Sequence, residues 1–232
     1  MFAALLILPA PYGRFASRSW GPAIGARTAW LVMELPALCV IPLTAFWNGG
    51  VMLPAALLLG LWVLHYVYRT LVFPFLIRDA GKTMPVLVVM MALVFNTLNG
   101  YANGISLAVS PPLLGAGLVG DFRFAMGSCL FVAGFAVHVW ADSRLRRLRA
   151  PGETGYCIPR GGLFDAVACP NYFGEIIEWC GWALAAWSVA GAAFAIFTAA
   201  NLVPRAHAYR NWYRERFPEY PAQRKRVIPF LI

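Results

Sequence analysis

Ionisable and amide side chains interrupt the most apolar stretches of this chain. Glu175 and Glu178 begin the Trp-rich run PNYFGEIIEWCGWALAAWS, and their spacing of three residues puts both on one face of a helix. Other polar side chains in apolar runs are Glu34, His65, Tyr66, Tyr68, Arg69, Asn96, Asn99, Asn103, His138 and Asp142. Each carboxylate costs on the order of a few kcal/mol inside a membrane, so a set of this size predicts an enclosed polar cavity. The alternative is that Arg69 pairs with a glutamate and that the amides join helices.

Transmembrane helices are the elements expected to carry these residues. The chain has 232 residues and is 60% hydrophobic but only 12% charged, whereas soluble domains contain about 25% charged residues. Its apolar runs approach the roughly 20 residues that cross a bilayer. The runs are Leu31–Trp47, Val51–Ile77, Met84–Val109, Phe124–Trp140 and Tyr172–Val203.

The last run and the N-terminus decide the number of spans. Tyr172–Val203 holds 32 residues and contains Gly181 and Gly191, so we expect it to fold back as two helices. The N-terminal run MFAALLILPAP is too short to span a bilayer, and we interpret it as the end of a first helix or as a short helix in one leaflet. With this run the predicted all-α bundle has seven spans, and without it six.

Basic residues predict the orientation of the spans. Of the 19 lysines and arginines, 17 fall on alternate connections or in the tail from Arg205 to Arg226. These segments, including the C-terminus, are therefore expected in the cytoplasm. The net charge of +9 then reflects topology, and nucleic-acid binding is not indicated.

Metal and redox chemistry are not indicated by the spacing of ligand residues. The cysteines form no CxxC pair and fall mostly in apolar surroundings, which favours inert buried thiols; they are Cys39, Cys129, Cys157, Cys169 and Cys180. The histidines His65, His138 and His207 also lack metal-ligand spacing, so we predict no metal site.

The connection ADSRLRRLRAPGETGYCIPRGGLFDAVACPN is basic and then rich in glycine and proline, and it ends with Asn171 where a helix N-cap is expected. Arginines supply forked donors for phosphate oxygens, and glycines let backbone N–H groups approach an anion. Such a loop alone more commonly meets anionic lipid. Beside acidic and amide residues in the adjoining spans, it favours a nucleotide cofactor with its phosphates at the surface and a polar ring in the bilayer.

Longer motifs add a resemblance that runs from about Pro11 to the last residue. They are AWLVMELP, HYVYRT, LRAPGETGYCIPRGGLF, NYFGEIIEWCGWALAAWS and the closing YPAQRKRVIPFLI. In these motifs the chain resembles a bacterial form of the steroid 5-alpha-reductases, the 3-oxo-5-alpha-steroid 4-dehydrogenase family. The resemblance implies a seven-helix enzyme of the bacterial inner membrane that reduces a 4-ene-3-ketone steroid, or a similar lipophilic enone, with NADPH to the 5-alpha product. It implies one reductase domain over 1–232, with substrate-binding helices in 11–109, a mainly NADPH-binding half in 120–232, and no obligate protein partner.

Site residues follow from the same resemblance, position by position. Glu34 and Tyr66 match the pair that holds the keto oxygen of the substrate, and Trp30 and Met33 are assigned to the substrate site. The residues assigned to the NADPH site are Asp142, Arg149, Tyr156, Asn171, Glu175, Arg205, Tyr213, Asn96 and Lys82. Glu178 is expected to support the neighbouring polar network. The chain departs from the family pattern at His138, where related enzymes have Asn, at Met33, where they have Gln, and in RAHAYRNWY, which differs from a His-rich mammalian segment.

The chemistry of enone reduction gives a reason for pairing a tyrosine with a glutamate. An enone accepts hydride at its β-carbon when the charge that builds on its oxygen is stabilised, and preorganised donors there contribute several kcal/mol. The Tyr66 hydroxyl is one donor, and a neutral Glu34, favoured by burial in an apolar span, is a second. The nicotinamide supplies hydride, and the enolate carbon then takes a proton that comes ultimately from solvent.

Two other classes of protein are alternatives. An isoprenylcysteine-type methyltransferase would bind S-adenosylmethionine in a similar C-terminal half, but it would leave Glu34 and Tyr66 without a task. A transporter with a polar midplane should show inverted halves, which this sequence lacks, and would leave the patterned basic loop unexplained.

Overall fold

The computed structural model describes Phe15 and residues 20–48, 52–77, 81–109, 120–148 and 155–231. Its helices are α1 (Ala26–Trp47), α2 (Leu53–Val67), α3 (Phe73–Leu76), α4 (Val86–Val109), α5 (Phe122–Arg147), α6 (Pro170–Ala186) and α7 (Val189–Arg216). A π-helical segment, Tyr68–Val72, joins α2 to α3, and a 3-10 turn, Gly162–Asp165, precedes α6. The short antiparallel strands β1 (Ala23–Gly25) and β2 (Thr83–Pro85) tie the start of α1 to the start of α4. The all-helical prediction is therefore confirmed, apart from this strand pair.

Among the described residues, five helical segments are long and apolar enough to cross a membrane. They are Ala26–Trp47, Leu53–Leu76, Val86–Val109, Phe122–Arg147 and Val189–Arg216. Large apolar side chains such as Leu43, Leu98 and Ile196 are exposed on their outer faces, where lipid rather than water would cover them. The fold is that of a multi-pass integral membrane protein. The N-terminal run predicted to supply a further helix lies outside the described residues.

The predicted fold-back of Tyr172–Val203 is confirmed, but neither predicted glycine makes the turn. α6 ends at Ala186 and α7 begins at Val189, and Trp187 between them has a left-handed φ of 44°. Ser188 then caps α7 by accepting a hydrogen bond of 3.1 Å from the Gly191 backbone N–H. A polar cap thus starts the second helix, and Gly181 is left free to serve in helix packing.

α5 and α6 approach each other more closely than side chains would permit. The contact, which we call the glycine seam, is made by two glycines per helix: Gly127, Gly134, Gly174 and Gly181. A Cβ added at Gly174 would lie 2.5 Å from the His138 backbone nitrogen, and one at Gly134 would collide with the backbone of Glu178. Small residues allow such backbone contact between membrane helices. The glycine seam therefore brings His138 and Glu178, on facing helices, next to each other.

α1 is fixed to its neighbours by side-chain donors that reach its backbone carbonyls. Asn96 on α4 donates to the Met33 carbonyl at 2.6 Å, and the Trp62 indole on α2 donates to the Ala37 carbonyl at 2.8 Å. α1 also contains Pro36 and Pro42, which lack a backbone N–H and interrupt its own hydrogen-bond ladder. Hydrogen bonds from other helices therefore help to define the position of α1.

The predicted amide stripe on α4 lies inside the bundle and joins helices. Asn103 donates to the Asn99 side-chain oxygen at 3.0 Å and accepts a hydrogen bond of 3.1 Å from the Trp182 indole. Trp182 belongs to a buried apolar cluster that also contains Trp62, Phe131, Trp179 and Phe194. For Asn103, the alternative that the amides link helices is confirmed, whereas the hydrogen bond of Asn99 lies within α4.

The C-terminal tail folds back over the loop before α6. Lys225 pairs with Val167 in a parallel bridge, and its backbone N–H donates to the Ala166 carbonyl at 2.9 Å. Arg224 is buried and donates to the Pro159 carbonyl at 3.1 Å. The loop at 155–169 and the tail therefore lie on the same side of the bundle as the ends of α5 and α7.

The prediction of buried thiols is wrong for four of the five cysteines. Cys169 is buried in the tail cluster, whereas the exposed cysteines are Cys39, Cys129, Cys157 and Cys180. Two of these, Cys39 and Cys129, lie on helices long and apolar enough to cross a membrane. An apolar surrounding in the sequence marks a lipid-facing position there rather than a core position.

Candidate active site

Glu34, Arg69 and Asn96 meet where α1, α2 and α4 converge. Nε of Arg69 lies 3.6 Å from Oε1 of Glu34, and the Asn96 amide donates to Oε2 of Glu34 at 3.2 Å. The Glu34 side chain is 12% exposed and the Arg69 side chain 17%. The alternative that Arg69 pairs with a glutamate is thus confirmed. This arrangement is called the oxygen cluster below.

The π-helical segment positions Arg69 in the oxygen cluster. The Phe73 N–H bonds back to the Tyr68 carbonyl five residues earlier, and Pro74 supplies no N–H to the helix. The Arg69 guanidinium then lies over the Trp30 ring, 4.4 Å from its centroid, and 5.0 Å from the Phe73 ring centroid. Trp30, predicted beside the substrate, therefore borders the oxygen cluster.

Tyr66 is buried one residue after His65 on α2 and faces the same interior. Its ring lies 5.0 Å from the Trp62 ring centroid and 5.9 Å from that of Trp179. Its hydroxyl is within electrostatic reach of Glu34, Glu175 and Arg69. The two residues predicted to hold a keto oxygen, Glu34 and Tyr66, are thus brought into one region from different helices.

A second group, here called the histidine cluster, joins three helices in a continuous line. Nδ1 of His65 lies 2.7 Å from Oε1 of Glu178, and Oε2 of Glu178 lies 3.5 Å from Nδ1 of His138. Nε2 of His138 lies 3.4 Å from Oδ2 of Asp142. The exposed side-chain fractions are 2% for His65, 1% for His138 and 0% for Glu178.

Sequence reasoning found only part of the histidine cluster. His138 and Asp142 are four residues apart, which brings them close on one helix, but His65, His138 and Glu178 are widely separated in the chain. In the fold their ligand atoms all lie within 4.8 Å of one another, and these residue types bind metals in many proteins. No ligand spacing in the sequence could have signalled this grouping.

Glu175 differs from Glu178 although both were predicted on one helix face. Its side chain is partly exposed, and within the described part of the chain it makes no hydrogen bond or ion pair. It lies within electrostatic reach of Glu34, Tyr66 and His138. A carboxylate in this position is available to a ligand.

The residues predicted at the cofactor site continue toward the surface end of α5, α6 and α7. Asn171 donates to Oδ1 of Asp142 at 3.1 Å. The predicted N-cap role of Asn171 is therefore wrong: α6 begins at Pro170 after Cys169, and the Asn171 amide ties α6 to α5. Arg205 donates from Nε to the Tyr172 hydroxyl at 2.9 Å.

Aromatic contacts hold the remaining members at this end. Tyr156 packs against Trp212 with ring centroids 5.3 Å apart, and Tyr213 stacks on Tyr220 at 5.4 Å. Burial raises the pKa of Tyr220. Arg149, the predicted phosphate ligand, lies outside the described residues.

Met33 and Lys82 lie near the start of α1 and α4. Met33 is buried in an apolar cluster with Ala29, Met84 and Val89. The Lys82 carbonyl accepts a hydrogen bond of 2.9 Å from the Ala26 N–H. A substrate contact for Met33 and a cofactor contact for Lys82 and Asn96 stay predictions.

A basic cleft of about 420 Å³ opens beside the loop before α6. Its lining consists of Arg144, Arg147, Leu148, Ile158, Pro159, Arg160 and Phe164. The expectation that the loop glycines present N–H groups to an anion is wrong for Gly161, since its N–H donates to Asp165 at 2.9 Å. Gly161 and Gly162 have φ of 90° and 60° and close a turn against Arg144 and Trp140 instead.

The fold and these clusters define a multi-pass membrane protein with ionisable groups enclosed among its helices. A family model described as 3-oxo-5-alpha-steroid 4-dehydrogenase matches residues 82–232. The 3-oxo-5-alpha-steroid 4-dehydrogenase 1 of Bos taurus is 44% identical over 237 residues, covering 100% of this chain and 91% of the relative. The Homo sapiens protein of that name is 46% identical over 224 residues, covering 95% and 85%. A steroid 5-alpha-reductase of Arabidopsis thaliana is 41% identical over 234 residues, covering 98% and 89%.

The chain therefore belongs to the 3-oxo-5-alpha-steroid 4-dehydrogenase family. The resemblance indicated by the sequence motifs is confirmed over the whole chain. Membership in a family of oxidoreductases favours the reductase interpretation over the methyltransferase and the transporter.

Proposed function

We propose that this protein reduces the double bond of a 3-oxo-4-ene steroid, or of a similar lipophilic enone, to the 5-alpha product with NADPH. Relatives from mammals and plants carry names for this activity on steroids. The observation that carries the proposal is the convergence of Glu34 and Tyr66 from different helices beside Arg69. Side chains of these types suit the oxygen of an enone that accepts hydride.

The oxygen cluster stabilises charge on the keto oxygen. Tyr66 donates its hydroxyl proton in a hydrogen bond to this oxygen, and the protonated form of Glu34 donates a second. A ketone oxygen can only accept hydrogen bonds. Glu34 must therefore be protonated to donate to it, whereas the ionised carboxylate pairs with Arg69. As the enolate forms, the positive charge of Arg69, 3.6 Å from Glu34, adds to the stabilisation.

The described residues of the C-terminal half fit a nicotinamide nucleotide. NADPH, when bound, supplies hydride to the β-carbon of the enone. Glu175, whose carboxylate has no partner in the described part of the chain, accepts from the nicotinamide amide. The other residues assigned to cofactor binding are Asp142, Arg149, Tyr156, Asn171, Arg205, Tyr213, Asn96 and Lys82.

This division of tasks follows the chain. The helices of 11–109 carry the oxygen cluster and Tyr66, and 120–232 carries Glu175 and most of the residues assigned to the cofactor. We infer that the two parts form a single reductase domain, which is supported by the contact of Glu178 from the second part with His65 from the first. A steroid-like substrate enters from the surrounding lipid.

We further infer a bundle of seven spans in a bacterial inner membrane, with the C-terminus in the cytoplasm. The tail bridge between Val167 and Lys225 supports a common side for the basic end of α5, the loop at 155–169 and the basic tail. Arginines and lysines concentrate on the cytoplasmic side of membrane proteins.

Product analysis tests the proposed reaction. Protein purified in lipid nanodiscs should convert testosterone or progesterone, with NADPH, to a product heavier by two hydrogen atoms. Chiral chromatography against 5-alpha and 5-beta standards identifies the product, and Tyr66→Phe serves as the matched low-activity variant. Absence of product, together with no NADPH fluorescence change on adding protein, would overturn the proposal; a response to S-adenosylmethionine would favour the methyltransferase.

A further inference from the structure

His65 forms an enclosed ion pair with Glu178, and the proposed oxygen and cofactor contacts give His65 no task. Its Nδ1 lies 2.7 Å from Oε1 of Glu178, and both side chains are buried. The ring is surrounded by aromatic side chains, with centroid distances of 4.7 Å to Trp179 and 4.9 Å to Tyr66.

Fold stability alone is a weak reason for this arrangement. Desolvation of a buried pair offsets most of its attraction, and apolar residues of similar volume are often as stable. The surroundings of His65 would accommodate an apolar ring. An ionisable pair kept in such a place suggests a chemical task.

The proposed reaction contains a step that still lacks a donor. After hydride reaches the β-carbon, the enolate needs a proton at its α-carbon. Tyr66 and Glu34 are committed to the oxygen. His65 precedes Tyr66 on α2, and the centroids of the two rings lie 4.9 Å apart. Within the described residues only Nδ1 of its ring is engaged, so Nε2 is left for the substrate.

We propose that His65 is the general acid that protonates the α-carbon of the substrate; this inference rests on the proposed function. Glu178 holds the Nδ1–H of the imidazolium. In the step the Nε2–H bond breaks, the enolate electrons form the new C–H bond, and the oxygen returns to a carbonyl. The ring is left as a neutral imidazole with its Nδ1–H still bound to Glu178. A solvent proton returns to Nε2 after the product leaves.

The rest of the histidine cluster positions the acid. Glu178 is held on its second oxygen by His138 at 3.5 Å, and His138 in turn faces Asp142 at 3.4 Å. At the glycine seam the backbone of Glu178 packs directly against Gly134 of α5. This contact prevents Glu178 from moving toward α5. His138 and Glu178 are therefore positioning residues that act through His65.

The test compares wild type and His65→Gln with two isotope effects. Loss of a general acid should lower kcat by roughly 10²–10⁴ with the KM for NADPH unchanged. Because protonation becomes the slow step, the isotope effect of 4-deuterated NADPH should fall toward unity. The solvent isotope effect in D2O should rise, and His207→Gln should change neither isotope effect.

The outcomes separate this inference from the proposed function. Wild-type protein that reduces no enone overturns both. Wild-type protein that is active, with a His65→Gln variant that is fully active or slow with unchanged isotope effects, overturns the inference alone.

A second variant tests the proposal if His65→Gln does not fold, and a metal analysis tests whether His65 is a metal ligand instead of an acid. If His65→Gln does not elute as the wild type does in size exclusion, Glu178→Gln gives the same test at the residue that pairs with Nδ1 of His65. It should move both isotope effects in the same directions with a smaller loss of kcat, and unchanged isotope effects there overturn the proposal. A stoichiometric metal ion in wild type that is lost in His65→Gln also overturns it, because the ring would then be a ligand.

Discussion

The oxygen cluster and the histidine cluster are built from similar residues but differ in how the fold encloses them. In the histidine cluster, Glu178 is sealed between two rings, and direct backbone contact across the glycine seam holds it. In the oxygen cluster, Glu34 and Arg69 keep part of their surface open and meet at 3.6 Å. The comparison suggests that the histidine cluster is a preformed scaffold, and that the oxygen cluster is the region that receives the ligand.

Local sequence explains the difference. The glycines of α5 and α6 remove side chains from the interface, so two regular helices touch and fix whatever lies beside the contact. The helices of the oxygen cluster contain Pro36, Pro42 and Pro74 and a π-helical segment, so their geometry depends on contacts from neighbours.

In the ligand-receiving region, Tyr66→Phe should have the largest effect on turnover. The variant removes one hydroxyl and little volume, so fold and NADPH affinity should persist. Turnover of a 4-ene-3-ketone should drop by roughly 10²–10³, as for the loss of one oxyanion donor. Steady-state kinetics with product quantification checks this, and wild-type turnover in the variant would contradict the role of Tyr66.

Glu34 offers a matched pair of variants. Glu34→Ala removes both contacts, to Arg69 and Asn96, and should reduce turnover by roughly 10²–10³. Glu34→Gln keeps an oxygen to accept from them and an amide to donate to the keto oxygen, so it should retain more activity than Glu34→Ala. Equal losses in the two variants, measured by the same assay, would argue that the carboxyl acts through its charge rather than as a donor.

The two glutamates of α6 test the comparison within one helix. Glu175→Gln should weaken NADPH binding by roughly tenfold or more, the size expected for a hydrogen bond to a charged group. Glu178→Gln should leave NADPH affinity near wild type and lower kcat, because among the described residues the Glu178 carboxylate pairs with His65 and His138 only. Fluorescence titration of NADPH and kcat measurement separate the two. Equal losses of NADPH affinity in the two variants would contradict the proposed difference between the partly exposed Glu175 and the buried Glu178.

The smallest effect concerns the glycine seam itself. Gly134→Ala should destabilise the fold by about 1–3 kcal/mol, because the added methyl group overpacks the contact with Glu178. Gly60→Ala is the matched control, since a Cβ there meets nothing within 4 Å, and it should be neutral or stabilising. Thermal unfolding in detergent measures both. Equal stability of the two variants would mean that α5 and α6 can separate without cost.

Membrane class, helix positions and the members of the oxygen cluster could be read from the sequence. Long uncharged runs have few alternatives to a spanning helix, because an unpaired backbone cannot exist in lipid. Motifs such as MELP and HYVYRT, which are contiguous in the chain, assigned Glu34 and Tyr66 to the substrate oxygen, and this assignment stays a prediction. The turn near Trp187 and the exposed cysteines were missed, because glycine content and apolarity do not distinguish a turn, a helix contact and a lipid-facing surface.

Only the tertiary structure decided how these helices combine. His65, His138 and Glu178 lie on three helices, and their contacts arise from the close approach of α5 and α6 across four glycines. The same packing separates Glu175 from Glu178, which are equivalent by helix periodicity alone. The sequence thus determined which side chains enter the membrane, through local hydropathy and motif content. Which of them are sealed and which stay open depends on interhelical distance, a quantity that no local pattern contains.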